Sequence, residues 1–489
     1  MPRTPNYGKF DLSRASGRKD TLAYKILDIK SNLDIPEYGV FNQTMINEID
    51  SLENRHIGLN RRITGNDMAK LQQQYDKLGA VLRDFDYKPL TIKQLLSDKR
   101  GPLRRRYLNA YLNLKKGFKP RSDVQGFIKL ERFTKEKLDT KPARMIQHRS
   151  YEYLYILNKY LKPIDKYWMT CKDVIDGQEV WSYFGKGKSG TEICNQMYDL
   201  WCEFKTPVGA CVDQSHFDGH YNEDLHRAEH SMYYQIPEVK QNCSGLLKKQ
   251  VTQCKGTTQC GVRYKINGER CSGEYNTSMG NSGTNISIIK QVMEDCKIVN
   301  YRIIVNGDDS VIFMEQDDLV QFNIDNFKKY GMDPKLDKVA REFEEIEFCQ
   351  CSPVKIGDGW KLVRDPLKTI GKSQLMLSNY SRSVQRYVAS IGLCELALSS
   401  GVPMMQAFAL KLIALSNGAR PLDQAKIYRS KFEPSLTLQP VEYHSRLSFE
   451  RAFNISVSEQ LQFEKDMGAS INLEFLDKYI LKHKNYHQR

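Results

Sequence analysis

The stretch RIIVNGDDSVIFM, residues 302–314, decides how this chain is read. Two runs rich in β-branched residues, Ile303 to Val305 and Val311 to Phe313, flank Asn306 and Gly307, the turn chemistry that joins paired strands. The tip of that hairpin carries Asp308 and Asp309. Hairpin tips are commonly polar, so solubility accounts for two aspartates there as readily as a metal site does. The rest of the chain has to decide between them.

A second strand ends in the same way. PVGACVDQSHFDGH, residues 207–220, runs from an apolar strand straight into Asp213, and Asp218 follows five positions later. If the two strands neighbour each other in one sheet, Asp213 and Asp308 stand side by side. Carboxylates held together repel unless divalent cations lie between them. Mg²⁺ asks for hard oxygen ligands with room left for water and phosphate, and two such ions about 3.5–4 Å apart catalyse in-line displacement at phosphorus. Between the two strands lies CSGEYNTSMGNSGTNISII, residues 271–289. Its small residues read as a flexible loop feeding an apolar helix, with Thr277 and Asn281 one turn apart on one face.

Composition narrows the partner. The chain has 489 residues and a net charge of +14, with a pI near 9.0, which suits a polyanion. Its length implies two or three subdomains. The basic runs KRGPLRRR (99–106), LNLKKGFKPR (112–121) and KPARMIQHR (141–149) alternate with apolar anchors, as in a folded cationic channel and unlike a polybasic tail. Twelve scattered cysteines without a CxxC pair or signal peptide read as reduced cytosolic thiols. Cys243, Cys254, Cys260 and Cys271, and the i, i+4 pair His226 and His230, lack the compact spacing of a zinc knuckle or an HExxH helix. The most apolar segment, 390–416, contains Glu395, Pro403 and Lys411 and reads as two core helices joined at SGVP, not as a membrane span.

Along the chain, the first forty residues read as an arm or loosely packed cover. Helices are expected in MINEIDSLENRH, DMAKLQQQYDKLGAVLRDF and RRRYLNAYLNLKKG between 43 and 117, around 151–163 and 190–203, and through most of the chain beyond 374. VQGFIKLERF and PARMIQ read as strands on either side of a charged loop, and 204–356 as strand, helix, strand, strand.

The order DxxxxD, SGxxxTxxxN, GDD resembles motifs A, B and C of viral RNA-dependent RNA polymerases, in particular the tombusvirus and carmovirus group, with flavivirus-type enzymes as more distant relatives. KPARMIQHRS resembles their motif F strand, FEEIEFCQCSPV (343–354) their motifs D to E, and SGVPMMQAF (400–408) their thumb, so the likeness runs from about 100 to 415. Gln214, His216 and Gly219 depart from the plant-virus pattern DASRFDQH and mark a divergent relative.

The resemblance implies an α+β right hand: an N-terminal extension (1–95) packing on fingers and thumb, fingers (96–203 and 219–271), an antiparallel-sheet palm (204–218 and 272–356) and a helical thumb (357–489), closed by fingertips. It also implies roles. Asp213 and Asp308 would hold two Mg²⁺ ions, for which Mn²⁺ can substitute, with Asp309 auxiliary and the carbonyl of Gln214 completing the sphere. Lys141, Arg144 and Arg149 would line the nucleotide tunnel, and arginine suits that place because its planar fork binds phosphate oxygens in pairs. Asp218 and Asn281, with Ser272 or Thr277, would hydrogen-bond the incoming ribose 2′-hydroxyl. Lys338, in a charged segment that reads as helix and loop, with Lys335 competing, would protonate the leaving pyrophosphate. Arg104, Arg105, Arg106, Lys129 and Gly273, with the primer-gripping Phe348, Cys349 and Gln350, would contact RNA.

The implied activity is RNA synthesis on an RNA template for a positive-strand virus. Its partners would be single-stranded template, nascent RNA, NTPs and other replicase or membrane-anchoring proteins, but no DNA. The place would be membrane-associated complexes in the host cytoplasm. A reverse transcriptase fits Asp218 and Asn281 less well, because such enzymes block the 2′ position with bulk. A non-enzymatic RNA-binding or coat protein has no need of acidic strand tips where phosphate must approach. A metal-dependent nuclease leaves the motif B loop and the basic motif F strand unexplained.

Overall fold

The computed structural model describes residues 23–468 apart from 60, 172, 176–177, 181–182, 253, 267, 378–382 and 423–437. At its centre is a four-stranded antiparallel sheet in the order Tyr301–Asn306, Asp309–Glu315, Pro207–Gln214, Pro334–Ala340. Strand alternation sends Val208, Ala210, Val212, Ile303, Val305, Ile312 and Met314 to one face. Cys211, Ile304, Val311, Phe313 and Ala340 go to the other.

Both faces are covered, which is why these strands are almost continuously apolar although antiparallel. The first face packs on the helices Gly65–Ala80, Tyr151–Trp168, Glu223–Tyr233 and Thr277–Asp295. The second packs on Gly190–Trp201 and on Phe343, Ile346, Phe348 and Trp360. Gly209 belongs to that close packing, since a Cβ there would stand 3.3 Å from Ile346 Cγ1.

A second four-stranded sheet has the order Arg263–Ile266, Cys254–Thr258, Val124–Ile128, Met145–His148, and its middle pair is parallel. Residues 124–133 are therefore not one strand as expected. Val124–Ile128 belongs to this sheet, whereas Arg132–Thr134 turns away to pair with Tyr38–Val40. Ala23–Lys25 pairs with Leu375–Leu377, and Ile26, Leu27, Ile29, Leu33 and Ile35 pack against the C-terminal core, so the described part of the expected arm is tied down at both ends. Its first 22 residues lie outside the described ones.

The helices Val384–Ser399 and Met405–Leu415 meet at SGVP as the sequence suggests. Among the described residues, no helix is long and apolar enough to cross a membrane.

Two local readings change. The hairpin turn is Gly307–Asp308, not Asn306–Gly307. Asn306 pairs with Asp309 as the last rung, and only Gly307 takes a left-handed φ (+71°), the pattern of a type II′ turn. Lys338, expected in a helix or loop, lies in the edge strand Pro334–Ala340 opposite Cys211.

Candidate active site

The central sheet brings the two carboxylate-tipped strands together. Ser310 pairs with Val212, so Asp309 and Asp213 stand at the next step of the same ladder, and Lys335 faces Asp213 from the other side. Beyond these strand ends opens a cavity lined by Asp213, Gln214, Asp218 and Asp308 together with Arg55, Lys129 and Arg144.

Asp308 is open to this cavity, yet protein crowds it closely. Burial first, then Asp218, raises its carboxyl to about 6. Burial and then Asp308 raise Asp309 to about 7. Burial, followed by Asp337, raises Asp213. Three carboxylates whose charges disfavour one another are a donor set suited to cations. Gln214 adds a buried side chain whose amide atoms have no hydrogen-bond partner. Among the described residues, no three His, Cys, Asp or Glu side chains are grouped so that they could hold a metal ion by themselves. A Mg²⁺ site does not require such a group, because it keeps water and substrate phosphate among its ligands.

The hairpin tip is clamped from the helix Thr277–Asp295. Ser282 Oγ accepts from Gly307 N at 2.8 Å, and Asn285 Nδ2 donates to the carbonyls of Gly307 (3.2 Å) and Asp308 (3.1 Å). One turn earlier, Asn281 Nδ2 donates to Asp218 Oδ1 at 2.8 Å. The loop before the helix docks on the strand Met145–His148. Gly273 N donates to Gln147 O (2.7 Å), and Ser272 Oγ donates to Met145 O (3.2 Å) and accepts from Gln147 N (3.3 Å). A Cβ at Gly273 would meet Gln147 O at 2.6 Å, so this contact requires glycine.

The residues expected from sequence divide into those gathered here and those placed elsewhere. Asp213, Gln214, Asp218, Asp308, Ser272, Lys129 and Arg144 line the cavity, with Asn281 bonded to Asp218 behind it. Asp309 instead faces the next turn, where Cys349 hydrogen-bonds to it.

Arg149 does not line a tunnel. It is fully buried, paired with Glu274 and bonded to the carbonyl of Ser122, because, just past the strand Met145–His148, it continues the inward-facing series of Met145 and Gln147. Lys141 is exposed at the end of the short helix Lys135–Thr140 and is not part of the cavity wall. The Thr277 hydroxyl is taken up locally by Cys271 O at 2.9 Å.

Lys338 approaches Glu345 at 3.6 Å, and Lys335, which pairs with Asp337, is the lysine beside Asp213. Phe348 is a core residue, 1% exposed, so it anchors the hairpin and does not present a face to RNA. Cys349 and Gln350 form its turn with φ +54° and +61°. Arg104, Arg105 and Arg106 sit exposed on the helix Gly101–Lys115, and none lines the cavity. His226 and His230 hydrogen-bond Glu269 O and Gln250 Oε1, and burial keeps both well below the usual imidazole range.

A model of the family described as viral RNA dependent RNA polymerase matches residues 13–473. The chain belongs to that family. Among viral RNA-dependent RNA polymerases it is 30% identical over 359 residues to the RNA-directed RNA polymerase of Carnation mottle virus, covering 71% of this chain and 46% of that protein. To that of Turnip crinkle virus it is 31% identical over 370 residues, covering 70% and 45%. To that of Groundnut rosette virus (strain MC1) it is 26% identical over 464 residues, covering 89% and 53%. The chain thus spans about half the length of the relatives it matches.

For this polymerase-family chain the sequence reading missed several contributors. Arg55 and His56 reach the cavity from the end of the helix Met45–Arg55, far from any motif. Gly219, a departure from the plant-virus pattern, makes that approach possible: a Cβ there would stand 2.2 Å from Arg55 O. Ser282 and Asn285 were legible only as two polar residues in an otherwise apolar helix.

Proposed function

We propose that this chain synthesises RNA on an RNA template by two-metal-ion nucleotidyl transfer, replicating a positive-strand RNA virus genome. The observation that carries the reading is one cavity holding Asp213 and Asp308 beside Lys129 and Arg144, next to the Asn281–Asp218 pair. In this reading the central sheet is the palm, the segments 96–203 and 219–271 are fingers, and 357–489 is the thumb.

Asp213 and Asp308, with the carbonyl of Gln214 and Asp309 in support, would hold Mg²⁺ or Mn²⁺. Such ions, when bound, lower the pKa of an attacking 3′-hydroxyl and neutralise charge on the triphosphate and leaving pyrophosphate. The protein's own groups do the rest. Lys129 and Arg144 attract the phosphates of RNA and of the triphosphate, by charge and by the arginine fork. The Asn281–Asp218 pair offers a donor and an acceptor to a ribose 2′-hydroxyl, which a deoxyribose lacks. Lys335, beside Asp213, is better placed than Lys338 to deliver a proton to the leaving group. The Cys349–Gln350 turn abuts the catalytic hairpin through Asn306, whose Nδ2 lies 3.4 Å from Cys349 Sγ, and would seat the nascent strand.

The partners in this reading are single-stranded template, nascent RNA, NTPs and further replicase or membrane-anchoring proteins, in membrane-associated complexes of the host cytoplasm. Purified protein with a single-stranded RNA template, four rNTPs and Mg²⁺ or Mn²⁺ should yield template-length RNA, and far less product with dNTPs. Equal use of dNTPs would favour a reverse transcriptase. Template shortening without NTP-dependent lengthening would make the protein a nuclease.

A further inference from the structure

We propose that Arg270 is a positioning residue that sets sugar selectivity by fixing the side-chain amide of Asn281; this rests on the ribose-reading role of Asn281 and Asp218 proposed above. An asparagine amide has an oxygen end and a nitrogen end of nearly equal size, so its orientation follows from its partners. Arg270 Nε, which can only donate, lies 3.1 Å from Asn281 Oδ1. Asp218 Oδ1, which only accepts when ionised, lies 2.8 Å from Asn281 Nδ2. Reversing the amide would set donor against donor and acceptor against acceptor. The second Nδ2 hydrogen and the second Asp218 oxygen are left to serve one hydroxyl that both accepts and donates.

Arg270 also holds the other member of the pair, since its backbone N donates to Asp218 O at 3.2 Å. One residue thus ties both halves of the sugar-reading unit, although it does not line the cavity itself. Its guanidinium is fully buried, lies 4.1 Å from the centroid of the Tyr221 ring, and pairs through both terminal nitrogens with Glu229. Glu229 in turn accepts from Tyr221 (2.6 Å), Tyr233 (2.7 Å) and Asn276 (2.7 Å). With these partners the pair is satisfied, rigid and unavailable to solvent. The residue before Asn281 must be glycine to admit it: a Cβ at Gly280 would stand 2.3 Å from Glu229 Oε1 and 2.8 Å from Arg270 Nη2.

The test is single-nucleotide incorporation of ATP and dATP opposite a templating uridine, comparing the parent with Arg270→Lys. Lysine keeps the positive charge beside Glu229, but one ammonium on a flexible stem cannot reproduce the fork that reaches both Glu229 and Asn281. The ratio of kcat/KM for ATP over dATP should fall about tenfold, as expected when a buried hydrogen-bonding group loses its anchor. The loss should appear for ATP as both a higher KM and a lower kcat, with dATP use little changed. Because the ratio does not depend on the active fraction, partial misfolding cannot imitate the result. Gly280→Ala, which pushes on the same ion pair, should move the ratio in the same direction and serves if R270K proves inactive. In an Asn281→Ala background, Arg270→Lys should leave the ratio unchanged.

Equal losses for ATP and dATP, or a further change of the ratio in the Asn281→Ala background, would overturn the proposal. A parent that lengthens no primer would instead refute the polymerase reading. A parent that lengthens primers without preferring ATP would remove the ribose-reading role on which the proposal rests.

Discussion

If the hairpin aspartates hold the metal as proposed, its binding is a pH-dependent event. Asp308 and Asp309, with carboxyls raised to about 6 and about 7, titrate as a neighbouring pair, so the midpoints belong to the pair. A cation bound at both must displace whatever protons they carry. At pH 6 Asp309 is mostly protonated and Asp308 half so, whereas at pH 8 both are almost fully ionised. Multiplying the two proton-competition factors gives affinity about twentyfold weaker at pH 6 than at pH 8. Carboxylates titrating near 4 would change by a few per cent over that window.

Stability without metal has the opposite sign. The folded state favours the neutral carboxyls, so their stabilising contribution is complete below pH 4 and is lost as pH rises through 6 to 7. The metal-free protein should therefore melt at a lower temperature at pH 8 than at pH 5.5, relative to Asp309→Asn, and Mg²⁺ should recover the difference by binding only the folded form. Calorimetric titration with Mg²⁺ at pH 6 and pH 8, without RNA or nucleotide, reads the affinities directly. Asp309→Asn should leave a pH effect of no more than about twofold. An affinity in the parent that is flat across the window would show that protons and metal do not compete at this hairpin, and the metal assignment would fall with it.

Asp308→Asn should abolish nucleotide addition to below about a hundredth of the parental rate without lowering the melting temperature, since it removes charge and keeps volume; Asp213→Asn should match it, and the double variant should be no worse. Residual activity above that level in a primer-extension assay would remove Asp308 from the metal site. Asn285→Ala, which strips two hydrogen bonds from the turn carbonyls, should cost about 1–2 kcal/mol in denaturant unfolding and weaken Mg²⁺ binding as well. Single-stranded RNA affinity should fall steeply with salt. Arg144→Gln with Lys129→Gln should reduce that slope by about 1.4, whereas replacing Arg104, Arg105 and Arg106 together should not change it, because Arg104 and Arg106 are tied to Leu96 O and Tyr151 and none of the three lines the cavity.

What was legible in the sequence, and what was not, follows from the range of the interactions. The strand-turn-strand around Asp308 and the strand into Asp213 are local patterns of period two, and the sheet joins them as expected. The turn position slipped by one residue because Asn–Gly is itself a good turn, and only the pairing of Asn306 with Asp309 decides that Gly307–Asp308 forms it. Arg149 looked like a tunnel residue because a basic strand reads the same from either face. Its partner Glu274 lies 125 residues away, and no local pattern announces that pairing. Arg55 was invisible for the same reason, as it reaches the cavity by a close approach that Gly219 permits. Lys338 was drawn into a helix or loop by its charged neighbours, and pairing with the strand carrying Asp213 overrode that local preference.

The spacing of polar residues in the helix Thr277–Asp295 carries the argument one step further. Asn281, Ser282 and Asn285 fall within little more than one helical turn, yet they serve two ends of the site: the first holds Asp218, and the other two hold Gly307 and Asp308. A helix buried this deeply moves as a rigid body, with Ile286, Ile288, Ile289, Val292 and Met293 all in the core. The group proposed to recognise the sugar and the turn proposed to hold the metal are therefore fixed to one element and cannot shift independently. A sugar that fails to engage Asn281 and Asp218 sits badly with respect to the very helix that sets Asp308. On this geometry, discrimination against deoxyribose acts on the chemical step as well as on binding, because the same displacement that loses the 2′-contact moves the substrate phosphate relative to the carboxylates.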